Sequence, residues 1–477
     1  MYTIDKIYIN GQFVTPHGSE MFDLINPSTG QLAGQVRLGD AEDARDAIAA
    51  ARAAFPAFSR TTKAERGAML ERLHAAVLAR AEDAAAAQIE EYGGPRNTSV
   101  GRARYTAQMF LDVKRVMDDH EFVKTVNKSK VVLEPVGVVG IITPWNSSAW
   151  FIANKVATAI AAGCTVVVKP SELSARQNQI LTECFHAAEL PPGVVNIVNG
   201  RGDVVGAELS THPEVNKISF TGSTPVGKQI ARLGVDSMKR VTLELGGKSA
   251  NVILDDADFA KAIPNAVAAC YMNNGQACIA GSRLLVPAHR LEEVKALAKA
   301  AAEAVVVGDP DSAAVALGPI VTQKQYERVQ RYIGIGIDEG AELVTGGLGK
   351  PQGLEAGYFV RPTVFAGVTP AMTIAKEEIF GPVLSIITYE TEEEAIAIAN
   401  DTPYGLQAYV SSTDLARANR VADRLVAGRV HINGIHDDLI APFGGFKQSG
   451  IGREFGPYGL EAYLEPKAIL GEHAQYR

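Results

Sequence analysis

From Val136 onward, short apolar runs alternate with longer segments in which apolar residues recur every three or four positions. The run VGVVGII (136–142) has the length and β-branched content of a buried strand. SAWFIANKVATAIAAG (148–163) has a helical period, with Gly163 as its stop. CTVVVK (164–169) is the next strand, followed by a helix through Ala187. GVVNIV (193–198) is a third strand, followed by a short helix over 203–210. KISF (217–220) leads to a helix from Pro225, and RVTLEL (240–245) is a fifth strand. Apolar strands separated by helices predict parallel βαβ units in a doubly wound α/β sheet.

After Gly247 the alternation resumes. NVIL, SRLLV, VLSIITY, LQAYV and GRVHIN read as strands, with helices at about 258–272, 289–306, 322–339, 391–400 and 413–426. That predicts a second α/β unit. Residues 40–92, rich in Ala, Glu and Arg, read as surface helices. The segment 122–140 is β-branched and broken by Pro135 and Gly137, so it reads as extended. The tail LEAYLEPKAIL (460–470) also reads as extended, and together with 122–135 it is expected to form a small sheet apart from both cores.

Composition narrows the function classes. The chain has 477 residues, 47% hydrophobic and 21% charged, enough for about three ordinary globular domains. The net charge is -8 without a basic stripe, which argues against nucleic acid as a partner. Four cysteines, Cys164, Cys184, Cys270 and Cys278, make no disulfide framework in so long a chain, so a reducing compartment is expected. The start, MYTIDKIYINGQFV, has no signal-peptide pattern. The longest apolar run, 156–168, is too short to span a bilayer and carries Gly163. The expectation is a cytoplasmic protein with no membrane partner.

Ligands of open parallel sheets bind beyond the carboxyl ends of the strands. After the first strand come Thr143-Pro144-Trp145-Asn146, where Asn146 reads either as a helix N-cap or as an amide donor to an oxyanion. After the second come Lys169-Pro170-Ser171-Glu172, either a surface ion pair or a ribose site. After the fourth come Gly222-Ser223-Thr224-Pro225-Val226-Gly227, small residues entering a helix. They are either a tight connection or a phosphate approach. The turn Asn199-Gly200-Arg201-Gly202 after the third strand carries less. After the fifth comes Glu244 in LELGGKS, either a capping or salt-bridged Glu or a buried general base. Cys278 sits in NGQACIAGSR among small and polar neighbours, unlike Cys164 at a strand start and Cys184 and Cys270 in helices.

In this order, TPWN (143–146), KPSE (169–172), FTGST (220–224), LELGGKS (243–249), GQACIAGSR (275–283), EEIFGPV (377–383) and PFGGFKQSGIGRE (442–454) resemble the aldehyde dehydrogenase superfamily in its hydrolytic, NAD(P)-dependent branch. The resemblance covers nearly the whole chain. It implies a Rossmann-like doubly wound dinucleotide-binding domain (1–118 and 136–246) and a second α/β catalytic domain (247–448). A small β oligomerisation arm (119–135 and 456–477) completes it. It implies Cys278 as nucleophile, Asn146 with the Cys278 N–H as oxyanion hole, Glu244 as base for thioester hydrolysis, and Lys155 near the site. It implies Lys169 and Glu172 on the adenosine ribose, Gly222 and Ser223 by the phosphates and nicotinamide, and Glu378 and Phe380 at the nicotinamide ribose and ring. Ile142, Thr143, Trp145, Ser171, Gly202, Gly206, Phe220, Val226, Leu245 and Gln325 complete the implied cofactor set, with no metal.

Glu172 favours NAD, with NADP allowed. The implied assembly is a homodimer or homotetramer, with an edge strand open to pairing. The chain departs from the family pattern at Ser147-Ser148-Ala149-Trp150-Phe151, at Asn154 and at His436-Asp437-Asp438-Leu439. If these line the tunnel, the aldehyde carries a polar or aromatic group. Three rival readings are a CoA-acylating enzyme, which Glu244 opposes; a silent structural protein on the same fold, which the intact Asn146, Glu244 and Cys278 oppose; and a thioester hydrolase without a redox step, which would not need Lys169, Glu172 and Glu378.

Overall fold

The computed structural model describes residues 1–471; residues 472–477, assigned above to the arm, lie outside the described residues. The described residues build the first sheet from eight strands. Its order is Gly450–Ile451, Arg240–Glu244, Lys217–Thr221, Val138–Ile142, Thr165–Lys169, Val195–Ile197, Ile7–Ile9 and Gln12–Val14. The five central strands are parallel, as expected. Gly450–Ile451 and the Ile7–Ile9 strand join antiparallel at the two sides. Chain order reverses at Val138–Ile142, which has Thr165–Lys169 on one side and Lys217–Thr221 on the other. That reversal opens a crevice at the carboxyl ends. Val138–Ile142 is buried throughout, because the Ser148–Ala162 helix covers it, and Gly163 ends that helix at φ 87°.

The second sheet has seven strands: Glu342–Thr345, Thr363–Ala366, Val383–Tyr389, Arg283–Pro287, Ala250–Ile253, Gln407–Ser411 and Arg429–Ile432. All pairs are parallel except Glu342–Thr345 with Thr363–Ala366. A third sheet pairs Leu464–Ile469 with Ser129–Pro135 and that strand with Val123–Val126, the small sheet the two extended segments predicted.

Some elements differ from expectation. Residues 460–461 are helical, not extended: Gly456–Glu461 forms a short helix started by Pro457, and the strand begins only at Leu464. Gly459 packs onto the Glu454 backbone, a placement that its lack of a side chain allows. The Arg96–Asp119 helix was not anticipated, nor was the sheet of Tyr2–Ile4, Leu32–Arg37 and Met21–Ile25. Residues 203–210 fold as a π turn, Gly202–Gly206, running into the Ala207–Thr211 helix. Among the described residues no helix is long and apolar enough to cross a membrane.

Candidate active site

The Phe259–Tyr271 helix ends in a turn, Met272–Gly275, that holds three successive left-handed residues: Asn273 (φ 53°), Asn274 (φ 58°) and Gly275 (φ 70°). Asparagine tolerates this region better than most side chains. At Gly275 only glycine fits, since a Cβ would overlap Gly381 and Pro382. The turn is tied to elements distant in sequence. The Tyr92 hydroxyl donates to the Asn273 carbonyl at 2.5 Å, and Arg102 donates to Asn273 Oδ1 at 2.7 Å. Asn274 Nδ2 donates to the carbonyls of Gly93 and Pro319, and its Oδ1 accepts from the Gly318 N–H. Gln276 Nε2 donates to the Tyr92 hydroxyl at 3.2 Å. Cys278 leaves this anchored turn half-buried, whereas the other three cysteines are buried. Burial pushes its thiol up to about 12, helped by the charges of Glu378 and Glu244; the N–H groups of Cys278 and Ile279 pull the other way.

The two readings of Asn146 can now be separated. The N-cap of the Ser148–Ala162 helix is Ser147, so Asn146 does not cap it. Its Nδ2 instead donates to the Gln276 carbonyl at 2.9 Å, two residues before Cys278, and its own carbonyl accepts from Asn273 Nδ2 at 3.0 Å. The Asn146 amide therefore lies beside the Cys278 loop.

Glu244 ends the Arg240–Glu244 strand and is 2% exposed. Neither carboxylate oxygen has a hydrogen-bond partner among the described residues, which removes the salt-bridged reading. A Cβ on Gly444 would lie 2.7 Å from Glu244 Oε1, so glycine there makes room for the carboxylate. Burial first, then the charge of Glu454, raises the Glu244 pKa well above the ordinary carboxylate range; Lys155, Arg453 and Arg429 oppose it. Lys155 is itself engaged. It pairs with Glu454 and donates to Ser219 Oγ at 3.0 Å, while Asn154 Nδ2 donates to Glu454 Oε2 at 3.1 Å. Asn154 is thus buried against Glu454.

The expected cofactor residues collect at the carboxyl ends of the first sheet. Lys169 Nζ lies 3.1 Å from Glu172 Oε2, and Ser171 Oγ accepts from the Leu173 N–H. Ile142 ends its strand and Thr143 follows it, both buried, with the Thr143 hydroxyl unpartnered among the described residues. Gly206 lies against Ile142, and a Cβ on Gly202 would meet nothing within 4 Å. The Gly222 N–H donates to the Glu244 carbonyl at 3.0 Å. Gly222 also fits over the Phe220 ring, and Leu245 fills the space over Gly227. Ser223 heads the 11-residue Thr224–Gly234 helix, and its side chain makes no capping bond. Val226, in the first turn of that helix, is exposed.

Opposite these residues, Glu378 Oε1 accepts from the Gly247 N–H at 3.0 Å. Burial raises Glu378 to about 7, against the pull of that N–H, Lys248 and Arg328. Phe380 holds φ 62°, and its ring meets Trp145 edge-on at 5.5 Å. Gln325 Nε2 donates to the carbonyls of Ile379 and Phe380 and so ties its helix to the 378–380 segment.

An aromatic cluster gathers around Phe455. Trp150 meets Phe151 and Phe455 at 5.2 and 5.4 Å, and Phe455 meets Phe443 at 5.5 Å. Arg429 lies over both Phe443 and Phe455, and it donates to the carbonyls of Asp438 and Pro442 at 2.9 and 2.8 Å. His436 to Asp438 are exposed, as a solvated loop would be, and Asp437 and Asp438 lie near enough to Tyr105 to raise its pKa beyond the effect of burial. Sequence reasoning missed Tyr92, Arg102, Asn273, Asn274, Gly444 and Arg429. The Asn-Asn-Gly run before Cys278 was the one readable signal among them.

Comparison with known proteins agrees with this geometry. The sequence model of the aldehyde dehydrogenase family matches residues 13–469. A curated relative, 3-succinoylsemialdehyde-pyridine dehydrogenase of a Pseudomonas species, is 48% identical over 468 residues, covering 98% of each chain. Among solved structures, a mutant of aldehyde dehydrogenase C from Pseudomonas syringae, in complex with NAD+ and octanal, has a TM-score of 0.96. Its identity is 45%, and the match covers 98% of this chain and 96% of that one. Betaine aldehyde dehydrogenase from Staphylococcus aureus, in complex with NAD+, has a TM-score of 0.95 at 36% identity, covering 98% and 94%.

Proposed function

The chain belongs to the aldehyde dehydrogenase family, and from that premise we propose how its residues carry out the reaction. It is an NAD-dependent oxidoreductase that takes a small aldehyde to its carboxylic acid. The observation that carries the residue roles is a half-open thiol on an anchored loop beside a buried carboxylate with no partner.

Cys278 is the nucleophile. Its thiol releases its proton to solvent, the thiolate adds to the aldehyde carbon, and the carbonyl oxygen becomes an oxyanion received by the Asn146 amide and the Cys278 N–H. Such a donor contributes about 3 to 4 kcal/mol to the barrier reduction. Loss of hydride from the adduct leaves a thioester on Cys278. Glu244 then takes a proton from water as the water attacks the thioester carbon, and the sulfur departs from the acid. Its raised pKa makes it a stronger proton acceptor than an ordinary carboxylate. Lys155 acts behind it by holding Glu454.

The strand ends suit a dinucleotide, because the buried Thr143 hydroxyl and the uncapped start of the Thr224–Gly234 helix offer polar groups with no protein partner. Lys169 and Glu172 would hold the adenosine ribose, Gly222 and Ser223 the phosphates, and Glu378 and Phe380 the nicotinamide end. Bound NAD supplies the hydride acceptor.

For the substrate, the reading is an aldehyde with a polar or aromatic group. The Trp150, Phe443 and Phe455 rings support it, as do the exposed His436, Asp437 and Asp438 and the relative named for a pyridine-bearing semialdehyde. The domain ranges given above remain our reading, supported by the separate sheets. A homodimer or homotetramer is supported by the Val123–Val126 edge strand, where both valines are exposed. A cytoplasmic setting is supported by four free cysteines.

The test monitors NADH absorbance across pyridine, phenyl and aliphatic aldehydes, octanal included. Cys278→Ala should give no NADH. Glu244→Gln should give one rapid turnover and then a slow phase, about 100-fold or more below wild type, because only hydrolysis needs the base. A wild-type steady state in Glu244→Gln would overturn its role. A clear preference for octanal over the polar and aromatic aldehydes would overturn the substrate reading.

A further inference from the structure

The ribose end of the first sheet contains a second cation that the roles above do not use. The Asn199–Gly202 loop leaves the Val195–Ile197 strand directly beside the Thr165–Lys169 strand, with Ile197 in register with Val168. Arg201 therefore emerges at the same sheet end as Lys169 and Glu172. The charges of Glu172 and Asp203 reach it, after that of Glu20, in raising its pKa. The N-terminal segment folds back onto this loop. Gly39 pairs with Gly200, the Gly39 N–H donates to the Asn199 carbonyl at 2.7 Å, and the Leu38 N–H donates to the Glu20 carbonyl at 2.8 Å. Glu20 is brought to Arg201 in this way. Its Oε1 accepts from Arg201 Nε at 3.0 Å, and the guanidinium lies over the Phe22 ring at 5.0 Å. The two side chains are 40% and 50% exposed, so the pair is weak and can be exchanged for another anion.

A carboxylate beside the ribose accepts free hydroxyls, and an arginine nearby accommodates a 2′-phosphate. The guanidinium fork matches phosphate oxygens better than an ammonium does. We propose that Arg201 is the residue that takes the 2′-phosphate of NADP, and that Glu20, by occupying Arg201, sets the preference for NAD. This rests on the assignment of Lys169 and Glu172 to the ribose. Glu20, Glu172 and Asp203 outnumber Lys169 and Arg201 at this end, which disfavours a phosphate dianion until Arg201 exchanges Glu20 for it. Only binding is involved, and no bond is made or broken.

The test is equilibrium binding of adenosine 2′,5′-bisphosphate and adenosine 5′-monophosphate to the full chain, by calorimetry. Arg201→Ala should weaken the bisphosphate about tenfold and leave the monophosphate within about twofold. Glu20→Gln should tighten the bisphosphate several-fold and leave the monophosphate unmoved. In the double variant the gain should vanish. A gain that survives without Arg201 would mean bulk charge and would overturn the proposal, as would Arg201→Ala acting on both ligands alike. Glu172→Gln tells the two assignments apart. If it changes monophosphate binding while Arg201→Ala spares the bisphosphate, the role of Arg201 alone falls. If Glu172→Gln leaves both ligands unmoved, the ribose assignment falls and takes the role of Arg201 with it. NAD-dependent turnover in Glu20→Gln should match wild type and so report an intact fold.

Discussion

Replacing Tyr92 by Phe removes one oxygen atom and two of the bonds that hold the Cys278 loop. The hydroxyl donates to the Asn273 carbonyl and accepts from Gln276 Nε2. Tyr92 and Gln276 are both buried, so water does not replace the bond between them, and the half-buried Asn273 carbonyl has only partial access to it. Each group left unpaired costs roughly 1 to 3 kcal/mol, and the retained ring leaves no cavity, so the sum is about 3 kcal/mol. Against this stands the strain of the left-handed run, about 1 kcal/mol for each of Asn273 and Asn274. The two magnitudes are comparable, so losing the hydroxyl is enough to let the run relax. The Gln276 carbonyl, which fixes the Asn146 amide, would shift with it. If the loop bears the whole loss, the ceiling on the fall in kcat/KM is about 100-fold, and about tenfold is the expected floor. NAD affinity should stay within about twofold, because the Trp145 and Phe380 contact remains. The assay is steady-state turnover beside NAD titration, thermal melting and the rate of Cys278 alkylation. Turnover within about twofold of wild type, with Tm within about 1 °C, would show that these bonds do not hold the loop.

Three single positions give further outcomes. Gly275→Ala puts a Cβ into Gly381 and Pro382 at a left-handed φ, so turnover should be lost and Tm should fall. Gly101→Ala, on an exposed helical site where a Cβ would meet nothing within 4 Å, should instead stabilise by about 0.5 to 1 kcal/mol, read as a rise in Tm. Glu378 titrates at about 7, and its charged form is the better acceptor for ribose hydroxyls. NAD Kd should therefore tighten about tenfold from pH 6 to pH 8 in wild type, and the trend should be flat in Glu378→Gln. The same raised value means Glu378 contributes stability below its unfolded pKa, and that contribution is lost as pH rises through about 7. Glu378→Gln should accordingly raise Tm more at pH 8 than at pH 5, if melting is measured across that range.

The parts of the site that were legible in the sequence are those that parallel sheets place by rule. A strand read from its apolar run fixes which residues stand at its carboxyl end, and Thr143, Lys169, Gly222 and Glu244 are among them. The scaffold around Cys278 obeys no such rule. Tyr92 meets Asn273 across 181 residues, and no local pattern in the Ala81–Tyr92 helix marks its last residue as an anchor. The Asn-Asn-Gly run announces a turn, but its three left-handed residues exist only because partners on other elements hold them. For Gln325 the sequence could suggest only a polar group, and the fold adds its bonds to the carbonyls of 379 and 380, beside Glu378.

Glu244 shows why a lone carboxylate could not be settled from sequence. A salt-bridged Glu and a base read alike in LELGGKS, because the difference lies in who else claims the nearby cation. Lys155 is the buried cation behind it, and Glu454 has taken that lysine, with Ser219 and Asn154 completing the polar contacts. Removing a charge from water without a partner is expensive, and the molecule meets that expense by raising the pKa of the group. The same arrangement that leaves Glu244 uncompensated raises its proton affinity well above that of an ordinary carboxylate. After burial, Glu454 from the last motif of the chain is the next contributor to the proton affinity of Glu244, although it need not touch the substrate.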